Sequence, residues 1–172
     1  MVKGVNMTAD VVRLRPPMHR VSPRALWYWA VRAAVLWIVL LVPQVIWWFA
    51  DGDGSALPHL VVGLIWLVLA AVHLVVMPQW RYRVHRWEAT DTAVYTQTGW
   101  LSQERRIAPI SRVQTVDSER GPIEQLFKLA NVTVTTASAA GPLKIEGLAA
   151  KDADQLVADL TARVGRTTGD AT

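Results

Sequence analysis

Residues 26–50 read LWYWAVRAAVLWIVLLVPQVIWWFA and residues 57–77 read LPHLVVGLIWLVLAAVHLVVM, and these two stretches decide how the chain folds. Arg32 is the one charged side chain of the first stretch, and the second stretch has none. Both are longer than the roughly 18 apolar residues that mark a membrane-spanning helix. We therefore predict a transmembrane helix over residues 26–50, an external loop over 51–56 and a second transmembrane helix over 57–77.

Aromatic side chains stand near the ends of these predicted helices. From Trp27 to Trp48 a helix rises by roughly 32 Å, which is close to the ~30 Å thickness of the hydrocarbon core of a bilayer. Tryptophan and tyrosine favour the interface between membrane and water. The predicted interfacial anchors are Trp27, Tyr28, Trp29, Trp47, Trp48 and Trp80.

The charges around the two stretches predict their orientation. The flanking basic residues are Lys3, Arg13, Arg15, Arg20, Arg24, Arg81, Arg83 and Arg86. The loop between the stretches instead carries Asp51 and Asp53. Cytoplasmic flanks of membrane helices are enriched in Lys and Arg. The hairpin is therefore predicted to lie in the cell membrane, with both termini and the domain in the cytoplasm. The net charge of +4 is thus concentrated beside the bilayer, which predicts membrane lipids as partners and no nucleic acid.

A cleaved signal peptide is the alternative interpretation of the first stretch. The stretch is too long for the apolar core of a signal peptide, and no cleavage site of small residues precedes Asp51. Residues 1–25 are predicted to form a basic cytoplasmic segment. Prolines exclude a regular helix over residues 11–24, which are predicted to lie extended along the headgroups. Arg32, about one turn inside the first helix, is expected to extend its charged end to the same headgroups.

After the second stretch, short segments of alternating polarity predict a separate domain over residues 80–165. The predicted strands cover residues 82–89, 93–98, 100–107, 110–116, 132–136 and 143–146. Helices are predicted over residues 121–129 and 151–164, and the second of these has one apolar stripe. The predicted fold class is a membrane α-helical hairpin plus an α+β or all-β domain, an antiparallel sandwich or barrel capped by the C-terminal amphipathic helix. Residues 166–172 are predicted to be a disordered tail.

Three short runs in this domain carry a family resemblance: residues 109–116 read PISRVQTV, residues 120–127 read RGPIEQLF and residues 131–134 read NVTV. In this order they resemble the recurring motif IPxxRIQxV…RGPLxRLxGLGxVxL of the bacterial PH-like domain in the YdbS-like membrane proteins. The hairpin and the run VSPR before it are similar as well. Lys128 and Asn131 stand where the family usually has glycines, and Asn131 suits a left-handed backbone.

The resemblance implies a cytoplasmic domain of the pleckstrin-homology (PH) type. It also implies self-association as a homo-oligomer, or a hetero-assembly with a larger, multi-domain PH-like membrane relative. It brings no catalytic residues to this chain.

The residues themselves predict neither catalysis nor a cofactor. The chain has no cysteine, and its sequence shows no Ser/His/acid set and no glycine-rich phosphate loop. His59 and His73 are separated by roughly 21 Å of helix, so they cannot bind one metal ion. We therefore predict that the protein is not an enzyme and binds no metal.

Four arginines are candidate contacts for lipid headgroups. Arg81 and Arg83 are two positions apart and thus on one face of the strand predicted there, while Arg105 and Arg106 lie on a nearby hairpin. Guanidinium groups bind phosphate through paired hydrogen bonds. The alternative is that these arginines are the orientation signal and unspecific surface charge.

Three functions remain open from the sequence. The leading hypothesis is a membrane-anchored interaction or scaffold module of the bacterial cell envelope. The alternatives are a membrane protein that binds anionic lipid headgroups, and a subunit of an oligomeric transport or resistance complex.

Overall fold

Two long apolar helices form a hairpin in the computed structural model, which describes residues 16–52, 54–100, 102–139 and 141–169. Helix α1 is Ala25–Ala50 and helix α2 is Ala56–Val84, so they extend for about 39 and 44 Å. Both are long and apolar enough to cross a membrane. Ser55 caps α2, because its hydroxyl accepts a hydrogen bond from the backbone N–H of Leu57 at 3.4 Å.

Helix α2 ends seven residues later than the sequence predicts. Pro78 lies inside it and is buried, and the last turn contains Arg81 and Arg83. A proline is tolerated within a helix where neighbouring elements cover the freed backbone groups. The strand predicted from residue 82 is therefore wrong, and strand β2 is Arg86–Ala89. Residues two positions apart on a helix are separated by about 200° around its axis. Arg81 and Arg83 therefore point in different directions rather than sharing one face.

The domain that follows contains two antiparallel sheets. In the described residues, the first sheet has the order β1-β2-β3-β4, where β1 is His19–Arg20, β3 is Ala93–Gly99 and β4 is Gln103–Pro109. A 3-10 turn at Ile110–Arg112 leads to the second sheet. Its order is β5-β6-β7, and its strands are Val113–Glu119, Leu129–Thr136 and Leu143–Ala149.

Two helices complete the domain. Helix α3, Pro122–Leu126, is a single turn with proline at its start, and helix α4, Ala150–Gly169, closes one end of the two sheets. The apolar stripe of α4 packs into the core through Ala153, Leu156 and Leu160, each at most 4% exposed. The predicted fold class, a membrane hairpin with a PH-like antiparallel domain capped by an amphipathic helix, is confirmed.

The first strand comes from the segment that precedes the hairpin. His19 pairs with Trp87 and Arg20 with Arg86, and Val21 is buried. The backbone N–H of Ser22 also donates to the carbonyl of Gly147 at 2.9 Å. The prediction that this segment lies along the headgroups is therefore wrong for residues 16–24, because strand pairing satisfies its backbone groups within the domain. Residues 1–15 of the predicted basic segment lie outside the described residues.

The C-terminal helix continues past Gly165 to Gly169. The prediction of a disordered tail is wrong for residues 166–169, and residues 170–172 lie outside the described part of the chain. One glycine costs a helix only about 1 kcal/mol relative to alanine, so a helix held by an apolar stripe can continue through it.

The turn between α3 and β6 contains the left-handed backbone conformation that the family glycines suggest. It occurs at Lys128 and not at Asn131. Lys128 has a φ of +54° and is the one non-glycine residue with positive φ among those described. Asn131 lies within β6, paired with Glu119. The expectation of a left-handed Asn131 is therefore wrong, and its side chain makes a contact described below.

Replacing Lys128 with glycine is expected to stabilise the protein by up to about 1 kcal/mol, because a left-handed backbone costs a residue with a Cβ roughly 1–2 kcal/mol and glycine much less. Urea-induced unfolding of the purified protein in detergent measures the change. Lys128→Ala removes the same charge but keeps the Cβ, so it should give no such gain. Equal stabilisation by both substitutions would mean that charge rather than backbone strain is the cause.

Candidate functional site

The structure brings two of the four predicted arginines together. Arg81, near the end of α2, and Arg106, on β4, line a common cavity of about 280 Å³ between the open edges of the two sheets. Arg83 and Arg105 are exposed and lie outside the lining of this cavity. We call the cavity the polar pocket; its charged lining residues are Arg81, Glu104, Arg106, Lys144 and Glu146, and His85, Thr96 and Thr98 add further polar groups.

Arg81 joins the pocket to the hairpin. Its Nη2 lies 2.9 Å from Oε2 of Glu146 on β7, and its guanidinium stacks 4.7 Å from the ring centroid of Trp29 on α1. A guanidinium over an indole face is a favourable cation–π arrangement. One side chain thus connects both helices to the second sheet.

Arg106 joins the two sheets at the other side of the pocket. Its Nη1 donates to the carbonyl of Pro142 at 2.6 Å, and its Nη2 donates to the carbonyl of Gly141 at 2.8 Å. Its Nε lies 3.6 Å from Oε1 of Glu104. Both pocket arginines therefore hold parts of this fold together, whatever else they bind.

A second polar cluster, which we call the joint, connects α1 to the domain through Tyr28, Arg32, Glu124, Asn131 and Gly147. Arg32 Nη1 donates to the Tyr28 hydroxyl at 2.9 Å, and that hydroxyl donates to Oε1 of Glu124 at 2.7 Å. Asn131 Nδ2 donates to the same carboxylate oxygen at 3.2 Å. Its Oδ1 accepts the backbone N–H of Gly147 at 3.0 Å. The chain of bonds runs without a break from the helix to strand β7.

The joint corrects the prediction for two of the six aromatic anchors. Tyr28 and Trp29 are 3% and 1% exposed, because the domain packs over this end of α1, and so they do not reach the headgroups. The anchoring role stays a prediction for the remaining four, which are at least 40% exposed: Trp27, Trp47, Trp48 and Trp80.

The electrostatic surroundings of Glu124 and His85 favour particular protonation states. Burial by itself raises the pKa of Glu124, but the hydrogen bonds from Tyr28 and Asn131 and the charge of Arg32 together lower it below its ordinary value. Burial, and secondly the charge of Arg81, lower the pKa of His85, whose Nδ1 lies 2.8 Å from the Arg81 carbonyl. The structure therefore holds an ionised carboxylate at the joint and a neutral imidazole in the pocket.

Acid is expected to weaken the protein through both groups. A depressed pKa in the folded state means that the unfolded chain binds protons more readily. The contribution of His85 is complete above about pH 6.5 and falls as the pH drops from there towards its lower folded-state pKa. The contribution of Glu124 is complete above about pH 4.3 and is lost as the pH falls through its own folded-state pKa. Melting temperatures measured from pH 8 downward should fall first near pH 6.

His85→Gln separates the two contributions. This variant should lose the decline that begins below about pH 6.5 and keep the one at lower pH, where Glu124 titrates. An unchanged pH profile in the variant would show that His85 does not contribute.

Sequence reasoning missed Lys144 and Glu146 in the pocket and Glu124 and Asn131 in the joint. These residues come from strands and turns that are distant in the chain, so no local spacing indicates that they meet. Within residues 16–52, 54–100, 102–139 and 141–169, no group of three or more His, Asp or Glu side chains is placed to hold a metal ion.

This chain has relatives among known proteins. The family model described as "Bacterial PH domain" matches residues 54–164. The chain is 30% identical over 159 residues to the UPF0699 transmembrane protein YdbS of Bacillus subtilis (strain 168). The matched region covers 90% of this chain and 96% of the relative. No solved structure matches.

Proposed function

The chain belongs to the bacterial PH domain family, and from this premise we propose that it is a non-enzymatic, membrane-anchored interaction module. The observation that carries the proposal is the attachment of the domain to the hairpin, at the joint and at two further contacts. Strand β1, the bonds from Tyr28 to Glu124 and the pair Arg81–Glu146 hold the domain against the hairpin. A domain held in this way presents the same surfaces at a constant height and angle to the bilayer, as a scaffold requires.

We further propose that the domain lies on the cytoplasmic face. In support, Arg20, Arg24, Arg83 and Arg86 all stand at the end of the hairpin next to the domain, while Asp51 stands at the loop end. Lys and Arg concentrate on the cytoplasmic side of membrane helices.

Single cysteines test this orientation cleanly, since the chain has none of its own. Ala56→Cys lies at the loop end and Ser118→Cys lies on β5, and both positions are exposed. In intact cells a membrane-impermeant maleimide should label Ala56→Cys, and should label Ser118→Cys only after permeabilisation. The reverse pattern would place the domain outside.

The partner is proposed to be a second copy of this chain or a larger, multi-domain PH-like membrane relative. In support, the apolar side chains of the hairpin are largely uncovered; Ile38 is 62% and Leu64 61% exposed. Lipid alone can cover such surfaces, but a small exposed residue such as Ala71 also permits close helix approach. Purification in a mild detergent followed by mass measurement should give at least two chains per particle. A monomer without any co-purifying membrane protein contradicts the proposal.

Binding of a lipid headgroup is the second candidate function, and the polar pocket favours it. The pocket lies at the end of α2 next to the domain and combines three cationic side chains with two carboxylates. This composition suits a zwitterionic headgroup, whose phosphate pairs with cations and whose amine pairs with Glu104 and Glu146. Lys144 is exposed at the surface of the pocket and is the cation to test.

Lipid retention by the detergent-purified protein, measured by native mass spectrometry, distinguishes a specific pocket from general basic charge. Lys144→Glu should reduce retained phosphatidylethanolamine several-fold. Lys151→Glu makes the same charge change on α4, outside the pocket, and should have little effect, as should Arg83→Glu and Arg105→Glu. Equal losses in all variants, or equal retention of every lipid, would remove this candidate.

A further inference from the structure

The turn between β3 and β4 contacts the hairpin far from the joint. The indole Nε1 of Trp80 donates to the backbone carbonyl of Trp100 at 2.8 Å. The ring of Trp100 lies 5.6 Å from the imidazole of His73, centroid to centroid. Contacts with two positions seven residues apart on α2 show that the turn lies alongside the helix rather than below its end.

The same imidazole connects the turn to α1. Trp37 Nε1 donates to His73 Nδ1 at 2.9 Å, and the Trp37 ring meets Trp66 edge to face at 5.8 Å. Trp100 therefore extends an aromatic cluster that already joins the two helices.

Helix geometry gives the depth of this contact. From Ser55, the cap at the loop end, to Arg81 the chain rises by about 39 Å, which is close to the ~40–45 Å of a bilayer including its headgroups. Arg81 thus lies at headgroup level when the helix spans the membrane. His73 lies about 12 Å further in. The headgroup region takes only about 5–7 Å on each side of the ~30 Å core, so His73 lies about 5–7 Å inside the hydrocarbon. The Trp100 ring, which is tilted by 47° against the ring of His73, lies at about the same depth.

Backbone geometry keeps Trp100 in this position. Gly99 has a φ of +129°, and a Cβ added there would collide with the backbone carbonyl of Ser102, so the close approach of these two residues requires glycine. Trp100 remains 37% exposed, which leaves part of its indole to face lipid. The backbone carbonyl of Trp100 is bonded to Trp80, next to Arg81, so the indole reaches from the headgroup side into the hydrocarbon. Tryptophan suits such a position because one edge of its indole is polar and the rest is apolar.

We propose that the β3–β4 turn is a membrane anchor of the domain itself, with the Trp100 indole reaching past the headgroups into the adjacent hydrocarbon beside α2. The domain then contacts the membrane through its own turn as well as through the hairpin. This inference goes beyond the interaction function and does not depend on it, since it needs only the spanning hairpin and the contacts of Trp100.

Nitroxide labels on single cysteines measure the depth, with the full chain in phosphatidylethanolamine–phosphatidylglycerol vesicles. The comparison is between Trp100→Cys, the lipid-exposed position Val72→Cys, and Ser111→Cys in the 3-10 turn that follows strand β4. Collision of the label with oxygen reports lipid, and collision with a water-soluble nickel chelate reports water. The ratio of the two at position 100 should be close to that at position 72 and several-fold above that at position 111.

A ratio at position 100 equal to that at position 111 would overturn the proposal. Ser102→Cys is a second site in the same turn that retains Trp100, and it is exposed. If Trp100→Cys does not fold, the ratio at position 102 decides the question by the same two outcomes.

Discussion

Replacing Trp29 with alanine is expected to lower the free energy of unfolding by about 3–5 kcal/mol, the usual cost of removing a buried aromatic side chain. Trp29 is 1% exposed at the centre of the contact between hairpin and domain. Its ring lies 4.7 Å from the Arg81 guanidinium and 5.0 Å from the ring of His85. The substitution therefore leaves a cavity and removes the stacking partner of a charged group in the pocket.

Urea-induced unfolding of the purified protein in detergent micelles measures this loss. Amide hydrogen exchange provides a local reading, since β7 carries both Glu146 and Gly147 at the same contact and should lose protection. The matched control is Trp27→Ala, the same change two positions earlier on α1, where the side chain is 69% exposed. An exposed position usually changes stability by no more than about 0.5 kcal/mol. Equal losses at both positions would show that the packing at Trp29 does not hold the domain.

Gly147→Ala is expected to cost about 2–4 kcal/mol at the same contact. Gly147 has a φ of +77°, which costs a residue with a Cβ roughly 1–2 kcal/mol. An added Cβ would also lie 2.9 Å from Cβ of Ala25 and 3.6 Å from Cζ2 of Trp29, so the helix must shift. Overpacking of a close contact adds about 1–3 kcal/mol.

A second glycine of the domain separates these two causes. Gly141 has the same φ of +77°, but no atom lies within 4 Å of an added Cβ. Gly141→Ala should therefore cost only the backbone part, about 1–2 kcal/mol, when measured by urea unfolding in the same detergent. A loss as large as that of Gly147→Ala would mean that close approach of α1 to β7 adds nothing.

Trp29→Ala and Gly147→Ala together test the physical basis of the proposed function. Trp29 and Ala25 approach the backbone of β7 at Gly147, and Tyr28, which bonds Glu124, directly precedes Trp29 on the same helix. If the domain is held as these contacts indicate, weakening them should also reduce co-purification with a partner that contacts the domain, whereas a partner bound only through the hairpin should be retained.

Local composition was sufficient to predict much of the fold. The two apolar stretches predict the hairpin because a spanning helix satisfies its backbone bonds within itself and needs only length and apolarity. The apolar stripe of α4 likewise predicts a helix that caps the sheets. The motif around residues 109–134 indicates the PH-like domain, which the family comparison confirms.

The parts that failed are those that depend on distant residues. Nothing near His19 and Arg20 indicates a strand, because a two-residue strand exists only when β2 is there to pair with it. The end of α2 was misplaced because Pro78 stops a helix in isolation but not where neighbours cover it. Tyr28 and Trp29 match the pattern of interfacial anchors, and only the packed domain excludes them from the headgroups.

By itself, then, the sequence determined that this chain has a hairpin of two spanning helices and a β-rich domain capped by a helix, since hydrophobic length and periodicity are local properties. Only the tertiary structure decided that the domain packs against the hairpin, with Trp29 buried and Trp100 beside α2. Those contacts join residues up to 122 positions apart, Trp29 and Gly147 being 118 apart and Ala25 and Gly147 being 122 apart, and no local pattern encodes such a pairing.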